Sequence, residues 1–131
     1  MISLIIGCGI DLVEVNRIEK IIKRWEDSFT SRIFTSWEKN YCEKRNNKYQ
    51  SYAGKFAAKE ALLKALGLGL RGVNWKEIEV KNDGLGQPII KISGKLKKIA
   101  LKMGMHKYFI TISHTNDYAI AQVILESQLD K

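Results

Sequence analysis

A run of strong helix formers in the middle of the chain sets the strictest limit on its fold. Residues 51–66, SYAGKFAAKEALLKAL, contain no proline and no β-branched residue, and alanine and leucine dominate them. Gly67 follows at the position where a helix commonly ends in a left-handed residue. The segment predicts a long helix with an apolar face, against which the rest of the chain can pack.

The N-terminal part predicts a strand that leads into a second helix. Residues 2–10 are almost continuously apolar and rich in isoleucine, which is typical of a strand buried on both faces. From Val15 to Trp25 the apolar residues recur at helical spacing, with basic residues on the other faces. We therefore expect a basic amphipathic helix directly after the strand.

Strands dominate the second half of the sequence. Residues 78–80 and 88–92 flank the turn-rich KNDGLGQ and predict a hairpin with a long loop. Residues 107–112 and 118–125 flank SHTND and predict a second hairpin at the C-terminus.

Two shorter helices complete the expected elements. Thr35 or Ser36 is placed to cap one of them, and residues 96–103 give the other, which Gly104 should end. The predicted class is α+β, with a mainly antiparallel sheet packed against the long helix.

Size and composition favour a single domain, residues 1–131. The chain has one proline and no low-complexity segment that would mark a linker. No stretch approaches the roughly 20 apolar residues of a bilayer span, and no basic region of a signal peptide precedes the first apolar run. We expect a cytoplasmic protein without a membrane partner, in which Cys8 and Cys42 are free thiols.

The charge balance indicates an anionic partner. There are 22 basic and 14 acidic residues, which gives a net charge of +8. Such a charge favours nucleic acid, a phosphorylated small molecule or an acidic protein as partner, and by itself does not choose among them.

Glu60 lies where the long helix should be apolar. At about 100° per residue it falls in the same arc as Ala57 and Ala61. Lys64 lies one turn further on, so an ordinary ion pair between Glu60 and Lys64 is one explanation. The other is an approaching cation, because burying an unpaired carboxylate costs several kcal/mol.

Asp11 is the second acidic residue in an unexpected place, at the end of the first apolar run. Asp11 to Glu14 match a capping box, so a helix cap is one interpretation. If Asp11 and Glu60 meet, two carboxylates on rigid elements would leave coordination positions for water and phosphate, which is how Mg²⁺ is usually held.

Three blocks together resemble the holo-acyl-carrier-protein synthases, the small bacterial type of 4′-phosphopantetheinyl transferase. The blocks are GIDLVEVNRI at 9–18, GKFAAKEALLKALG at 54–67 and ISHTNDYAIAQVILE at 112–126. They stand in the family's order and spacing and span nearly the whole chain. The resemblance implies the 4′-phosphopantetheinyl transferase fold.

The resemblance also implies a Mg²⁺-dependent reaction in fatty acid biosynthesis. A serine of apo acyl carrier protein would attack the β-phosphate of coenzyme A, take the phosphopantetheine arm and release adenosine 3′,5′-bisphosphate. By position, Asp11 and Glu60 resemble the family's Mg²⁺ ligands, and Lys64 resembles the lysine that reaches the phosphates.

Further positions resemble the family's contacts to coenzyme A. The set is Lys44, Arg45, Lys55, Lys64, Ser113, His114 and Thr115. Within it, residues 44, 45 and 55 match the basic positions around the 3′-phosphate. The family often has arginine where Lys55 stands, and a lysine loses the bidentate geometry of arginine.

The resemblance extends to partners. Arg17 matches the family arginine that meets an acidic residue of the carrier protein, and a basic first helix would steer that carrier towards the enzyme. Members of the family form homotrimers with active sites between subunits. One subunit supplies the positions of Asp11 and Glu60, and its neighbour supplies the region of His114 or further phosphate contacts.

Two other functions fit part of the sequence. A nucleic-acid-binding module would explain the charge, but it leaves Glu60 unexplained, so we expect no nucleic-acid partner. A magnesium-dependent phosphohydrolase would share the two carboxylates and transfer the phosphoryl group to water.

Overall fold

A computed structural model describes residues 2–69 and 72–129 of the chain. Within these residues the helices are α1 Val15–Trp25, α2 Asp27–Ile33, α3 Ser36–Glu43, α4 Lys48–Ala65 and α5 Gly94–Lys102, with a 3₁₀ turn at Trp75–Glu77. The strands are β1 Ile2–Glu14, β2 Ile78–Asn82, β3 Pro88–Ile92, β4 Lys107–His114 and β5 Tyr118–Leu129. No helix of the described ranges is long and apolar enough to cross a membrane.

The strands pair in antiparallel fashion, as the sequence predicts, but they form two sheets where one was expected. The larger sheet has the order β1-β5-β4, and β2 pairs with β3 in a separate hairpin. In the larger sheet Ala121 of β5 pairs with Asp11 on one side and with Ile112 on the other. Two residues further back along β5, and on the same face, Ala119 pairs with Val13 and with His114.

Helix α4 packs across the inner face of this sheet and forms the centre of the core. Two glycines of β1 allow the closest contact, because a Cβ at Gly7 would overlap the carbonyl oxygen of Ala65, and one at Gly9 would overlap that of Ala61. The backbone of the strand therefore packs directly on the backbone of the helix. The fully buried side chains of the core include Phe34, Tyr52, Leu62, Ile78, Val123 and Leu125.

A buried ion pair joins α4 to the elements on its other side. Lys59 Nζ lies 2.7 Å from Glu38 Oε1, and both side chains are fully buried. Lys59 also donates to the carbonyl oxygens of Ile33 and Trp75, and Glu38 accepts from the backbone N–H of Val80. This pair connects α2, α3, α4, the 3₁₀ turn and β2.

Of the two predicted caps of helix α3, Thr35 is the one that the structure shows, and it forms a capping box. The Thr35 side chain accepts from the Glu38 backbone N–H, and the Glu38 side chain accepts from the Thr35 backbone N–H. Helix α4 ends before Gly67, which has a φ of 72°, in agreement with its prediction as a left-handed end.

The predictions for the N-terminal segment differ from the structure in two ways. Strand β1 continues to Glu14, so Asp11 lies inside a strand, and the interpretation of Asp11 as a helix cap is wrong. The strand is also not buried on both faces of the single chain, since only its inner residues from Gly9 to Val13 are covered. Alternation of buried and exposed residues in this part shows that one face of the strand remains open.

That open face belongs to the whole three-stranded sheet. We call it the outer face and define it by Ile10, Leu12, Phe109, Tyr118 and Ile120, which are between 37% and 62% exposed. A contiguous apolar surface of this kind on a sheet is typical of a face that another protein covers.

Candidate active site

Asp11 and Glu60 lie beside each other on facing elements. Asp11 projects from the inner face of β1 and is 9% exposed, and Glu60 is half-buried on α4. The pKa of Glu60 is raised to about 7, first by burial and then by the Asp11 carboxyl group, whereas Lys64 and Arg17 lower it. The two acidic side chains, distant in the sequence, therefore converge in the fold.

Lys64 contacts this pair through Asp11. Its Nζ lies 3.0 Å from Asp11 Oδ1 and donates to the Ile10 carbonyl oxygen at 3.0 Å. The ion pair of Lys64 thus forms with Asp11, where the sequence suggested Glu60. Because half of the Lys64 side chain is exposed, the pair contributes only about 0–1 kcal/mol, and Lys64 is free to contact a ligand as well.

The remaining oxygen of Asp11 tests whether these residues fit a metal ion. Oδ2 is buried and accepts no hydrogen bond from the described residues. A buried carboxylate oxygen without a partner is unfavourable unless a cation or water reaches it. Together with Glu60 it offers the oxygen ligands that Mg²⁺ prefers.

The number of ligands also fits Mg²⁺. Among residues 2–69 and 72–129, no three His, Cys, Asp or Glu side chains form a group that could hold a metal. Two carboxylates leave most positions of an octahedral ion to water and to phosphate oxygens, which is the usual arrangement for Mg²⁺ at a phosphorylated substrate.

A second group of predicted residues forms what we call the basic cleft, a cavity of about 200 Å³. An adjoining cavity of about 370 Å³ adds Lys44. Four predicted contacts to coenzyme A, at positions 44, 45, 55 and 114, therefore come together. The cleft is lined by Tyr41, Arg45, Ser51, Gly54, Lys55, Asn82, Gly86, Pro88, Ile112 and His114.

The basic cleft is shaped by close packing of β4 against the start of α4. Gly54 allows this approach, because a Cβ there would lie 3.2 Å from Ile112 Cγ2 and 3.9 Å from His114 Cδ2. Gln50 Nε2 donates to Asn116 Oδ1 at 3.1 Å, which ties the turn after His114 to the same helix. His114 is thereby held over the first half of α4.

The carboxylate pair and the basic cleft occupy opposite edges of the sheet. Asp11 lies on β1 and His114 on β4, with β5 between them. Since neighbouring strands are about 4.8 Å apart, these two strands are separated by roughly 10 Å, and α4 packs across all three. One chain contains both groups, but the residues of the cleft do not include Asp11, Glu60 or Lys64.

Comparison with known proteins decides the family. A family model described as the 4′-phosphopantetheinyl transferase superfamily matches residues 7–123. The chain belongs to this superfamily. Among its relatives, the holo-[acyl-carrier-protein] synthase of Halothermothrix orenii is 41% identical over 120 residues, which are 92% of this chain and 96% of the relative.

Solved structures of phosphopantetheinyl transferases share the fold. The holo-(acyl-carrier-protein) synthase of Bacillus anthracis, in complex with CoA (3′,5′-ADP), is 41% identical with a TM-score of 0.76, over 95% of this chain and 98% of that chain. The enzyme of Helicobacter pylori, in complex with coenzyme A, is 32% identical with a TM-score of 0.79, over 90% of this chain and 98% of that chain. The predicted family and fold class are confirmed.

Two residues of the family's Ser-His-Thr turn lie apart from His114. Alternation along β4 directs Ser113 to the face opposite to that of His114, because successive residues of a strand point to opposite faces. The Thr115 hydroxyl accepts from the backbone N–H groups of Asp117 and Tyr118 and so caps the turn. The structure brings neither side chain into the basic cleft of its own chain.

Arg17 lies on the exposed side of α1, close to the carboxylate pair. Its charge lowers the pKa of Glu60, against the larger effects of burial and of Asp11. Arg17 thus adds a positive charge to the surroundings of the carboxylate pair.

Several residues of the basic cleft were not predicted as site residues. Asn82, Gly86 and Pro88 come from the hairpin between β2 and β3, and Tyr41 comes from α3. The sequence did indicate the turn through KNDGLGQ, but not its packing against α4. That contact joins residues far apart in the chain, so no local pattern signals it.

Proposed function

We propose that this protein is a holo-[acyl-carrier-protein] synthase. It transfers the 4′-phosphopantetheine arm of coenzyme A to a serine of apo acyl carrier protein and releases adenosine 3′,5′-bisphosphate. The observation that carries the proposal is the convergence of Asp11 and Glu60, with the buried Oδ2 of Asp11 accepting no hydrogen bond from residues 2–69 or 72–129. The coenzyme A complexes of the related B. anthracis and H. pylori enzymes support the choice of substrate.

The proposal includes a Mg²⁺ ion held by Asp11 and Glu60. When bound there, the ion would neutralise negative charge on the pyrophosphate during transfer. Asp11 is buried and Glu60 is half-buried, and two such carboxylates suit this ion. The positive charges of Lys64 and Arg17 suit a phosphorylated substrate.

The chain's own residues would bind and orient the substrates. Lys64 would pair with oxygens of the pyrophosphate, and the basic cleft would hold the nucleotide end of coenzyme A. The residues proposed for coenzyme A are Lys44, Arg45, Lys55, Lys64, Ser113, His114 and Thr115. With the substrates fixed in line, catalysis would rest on positioning and electrostatics, as in other phosphoryl transfers.

The proposed transfer exchanges one phosphorus–oxygen bond for another. The serine oxygen of the carrier bonds to the β-phosphorus while the bond from that phosphorus to the bridging oxygen breaks. The nucleotide leaves with the bridging oxygen. The serine proton passes to one carboxylate of the pair or to a water beside it.

The proposal further assigns α1 to carrier docking and the outer face to trimer formation. The basic charge of α1 and the place of Arg17 beside the carboxylate pair support the first assignment. The exposed apolar outer face supports the second. In the homotrimer, the carboxylate pair of one protomer would complete its site with the basic cleft of a neighbour. The enzyme would act in the cytoplasm, in fatty acid biosynthesis, where the unpaired Cys8 and Cys42 would stay reduced.

Intact-mass spectrometry of a carrier protein tests the function. Apo acyl carrier protein incubated with coenzyme A, Mg²⁺ and this protein should gain one phosphopantetheine. The gain should disappear with chelator and with Asp11→Ala or Glu60→Ala, and persist with Asp27→Ala, which removes an exposed carboxylate of α2. An unmodified carrier in the presence of folded protein would reject the proposal, and release of free phosphopantetheine would indicate a hydrolase.

Thermal unfolding tests the metal assignment without relying on transfer. Mg²⁺ binds only the folded site, so it should raise the Tm of the wild type. In Asp11→Asn the ion loses a charged ligand, and the Mg²⁺-dependent rise should vanish. An equal rise in both proteins would place the ion elsewhere.

Carrier docking through Arg17 has its own test. Arg17→Glu should weaken carrier binding while leaving coenzyme A binding largely intact, and Lys102→Glu on the distant helix α5 is the matched control. Equal loss of both affinities in Arg17→Glu would remove the docking role.

A further inference from the structure

Lys55 lies at the basic cleft, yet the protein itself takes up two of the three N–H donors of its ammonium group. The residue is 3% exposed, and its Nζ donates to the Val80 carbonyl oxygen at 2.7 Å and to Asn82 Oδ1 at 2.6 Å. The ring of Tyr41 lies 4.6 Å from Nζ and that of Trp37 5.3 Å. Two N–H groups have acceptors and the aromatic rings cover the ammonium, so little of its surface remains for a phosphate.

The contact with Asn82 continues into the turn that forms one wall of the cleft. Asn82 Nδ2 donates to the Gly86 carbonyl oxygen at 3.1 Å, which closes the turn between β2 and β3. Asn82 pairs with Pro88 across the hairpin, and Asn82, Gly86 and Pro88 all line the cleft. A chain of hydrogen bonds therefore runs from Lys55 of α4 through Asn82 to the wall of the cleft.

We propose that Lys55 is a positioning residue that holds the β2–β3 turn through Asn82 and so shapes the basic cleft for the nucleotide end of coenzyme A, without contacting the 3′-phosphate. This inference rests on the proposed function, because coenzyme A is the ligand of the cleft. It differs from the role that the family resemblance implies, in which position 55 surrounds the 3′-phosphate directly.

The nature of the side chain agrees with a positioning role. A lysine has three N–H donors on one atom, and here Val80 and Asn82 take two of them. An arginine at this position would present five donors in a wide fork and would have some to spare for a phosphate. Arg45 lines the same cleft, and Lys44 lines the adjoining cavity. Two other cations are therefore available to the 3′-phosphate.

The test compares coenzyme A with 3′-dephospho-coenzyme A as substrates. Lys55→Met should raise the KM for both by the same factor, roughly tenfold, since a hydrogen bond to a charged group contributes on that scale. The ratio of the two KM values should stay at the wild-type level, and kcat should change by less than about twofold. A ratio that collapses towards one in Lys55→Met would show direct contact with the 3′-phosphate and overturn the inference.

A second variant protects the test against misfolding of Lys55→Met. Asn82→Ala breaks the same chain of hydrogen bonds at a more exposed residue, and it should give the same rise for both substrates. The double variant should be no worse than either single one, because both changes interrupt one connection. Additive effects, or a wild-type KM in Asn82→Ala, would overturn the inference.

Two further variants complete the comparison. Lys81→Met is the matched control, because Lys81 approaches the same Trp37 ring at 5.8 Å but is 43% exposed and pairs with Glu79 at 3.7 Å. Its KM values should equal those of the wild type. Lys55→Arg, which keeps the charge, should restore much of the affinity lost in Lys55→Met, and failure of this rescue would count against the role.

Failure of the inference can be told from failure of the proposed function. Calorimetric binding of adenosine 3′,5′-bisphosphate to the same variants needs no transfer. Wild type that binds the bisphosphate but modifies no carrier would reject the function alone. Wild-type transfer with unchanged bisphosphate binding in Lys55→Met and Asn82→Ala would reject the positioning role alone.

Discussion

Two lysines one turn apart on α4 are buried in different surroundings. Lys59 pairs with the buried carboxylate of Glu38, whereas Lys55 donates to two neutral oxygens and lies against two aromatic rings. The pKa of Lys55 is therefore lowered to about 8, chiefly by burial; Cys42 and Glu38 oppose this shift, and the charges of Lys59 and Arg45 add to it. The charge on Lys55 is thus sensitive to pH within the range of ordinary assays.

The pH dependence of kcat/KM for coenzyme A should reflect the titration of Lys55. Above about pH 8 the neutral amine donates more weakly to Asn82, so kcat/KM for coenzyme A should fall on the alkaline side in the wild type. In Lys55→Arg the charge persists, and this part of the fall should be absent. Both proteins are assayed in the same buffers, so that titration of the substrate affects them equally. An identical fall of kcat/KM above about pH 8 in both proteins would contradict the prediction.

Removing one partner of the buried ion pair between Lys59 and Glu38 should cause a large loss of stability. Lys59→Met leaves an uncompensated carboxylate in the core and should lower the free energy of unfolding by about 3–5 kcal/mol, as urea denaturation would measure. The exposed pair of Lys23 and Glu19 provides the control, because Lys23→Met should cost less than about 1 kcal/mol. A loss below about 1 kcal/mol in Lys59→Met would show that Glu38 finds other compensation.

At the scale of elements, the contact between β1 and α4 sets the geometry of the carboxylate pair. Asp11 and Glu60 project from two backbones that touch only because Gly7 and Gly9 lack side chains. Any atom added at these glycines meets a helix backbone, which cannot move aside as a flexible side chain would.

Substitution of one of these glycines should damage stability and activity together. Gly9→Ala places a Cβ against the Ala61 carbonyl oxygen and should lower the free energy of unfolding by roughly 1–3 kcal/mol or more, because overpacking costs on that scale. The displaced helix carries Glu60 away from Asp11, so transfer should fall as well. Gly69→Ala, with open space around the added Cβ, should leave both quantities unchanged. Wild-type stability in Gly9→Ala would mean that α4 can shift freely.

The sequence predicted elements better than contacts between them. The helix at 51–66, both hairpins and the cap at Thr35 followed from periodicity and turn residues, which are local. Helix α2 was not predicted, because its seven residues carry too short a pattern. The interpretation of Asp11 as a cap failed because pairing with β5 extends β1 beyond the apolar run that marked it.

The candidate site was predictable in part. Asp11 and Glu60 could be identified because acidic residues stood in apolar patterns, and the family resemblance supplied the basic residues. The burial of Lys55 and Lys59 could not be predicted, since lysine is rarely fully buried and both acquire their partners from distant elements. The position of Asn82 in the wall of the basic cleft could not be predicted for the same reason.

At the scale of the whole molecule, the outer face and the two separated groups of site residues suggest one explanation. The outer face exposes apolar side chains on all three strands of the sheet. The carboxylate pair and the basic cleft lie on opposite edges of that sheet. A homotrimer would account for both observations if it covers the outer face and brings the carboxylate pair of one protomer to the basic cleft of the next.

Light scattering should give three times the chain mass of 15.0 kDa. Leu12→Glu introduces a charge at the most exposed position of the outer face, where association would bury it, so the variant should be monomeric and lose transfer. Leu101→Glu, at a residue of α5 with a similar exposure of 58%, should leave mass and transfer unchanged. A wild type that is monomeric at assay concentration yet active would contradict the shared site.

Helix α4 presents Glu60 and Lys64 beside β1 and lines the basic cleft with Ser51, Gly54 and Lys55. In the proposed homotrimer, one helix would thus contribute to two different sites, and two inactive variants would complement each other. Glu60→Gln and Arg45→Ala chains, each inactive alone, would regain partial turnover when mixed and reassembled. In some mixed trimers the intact carboxylate pair of an Arg45→Ala chain would lie beside the intact basic cleft of a Glu60→Gln chain.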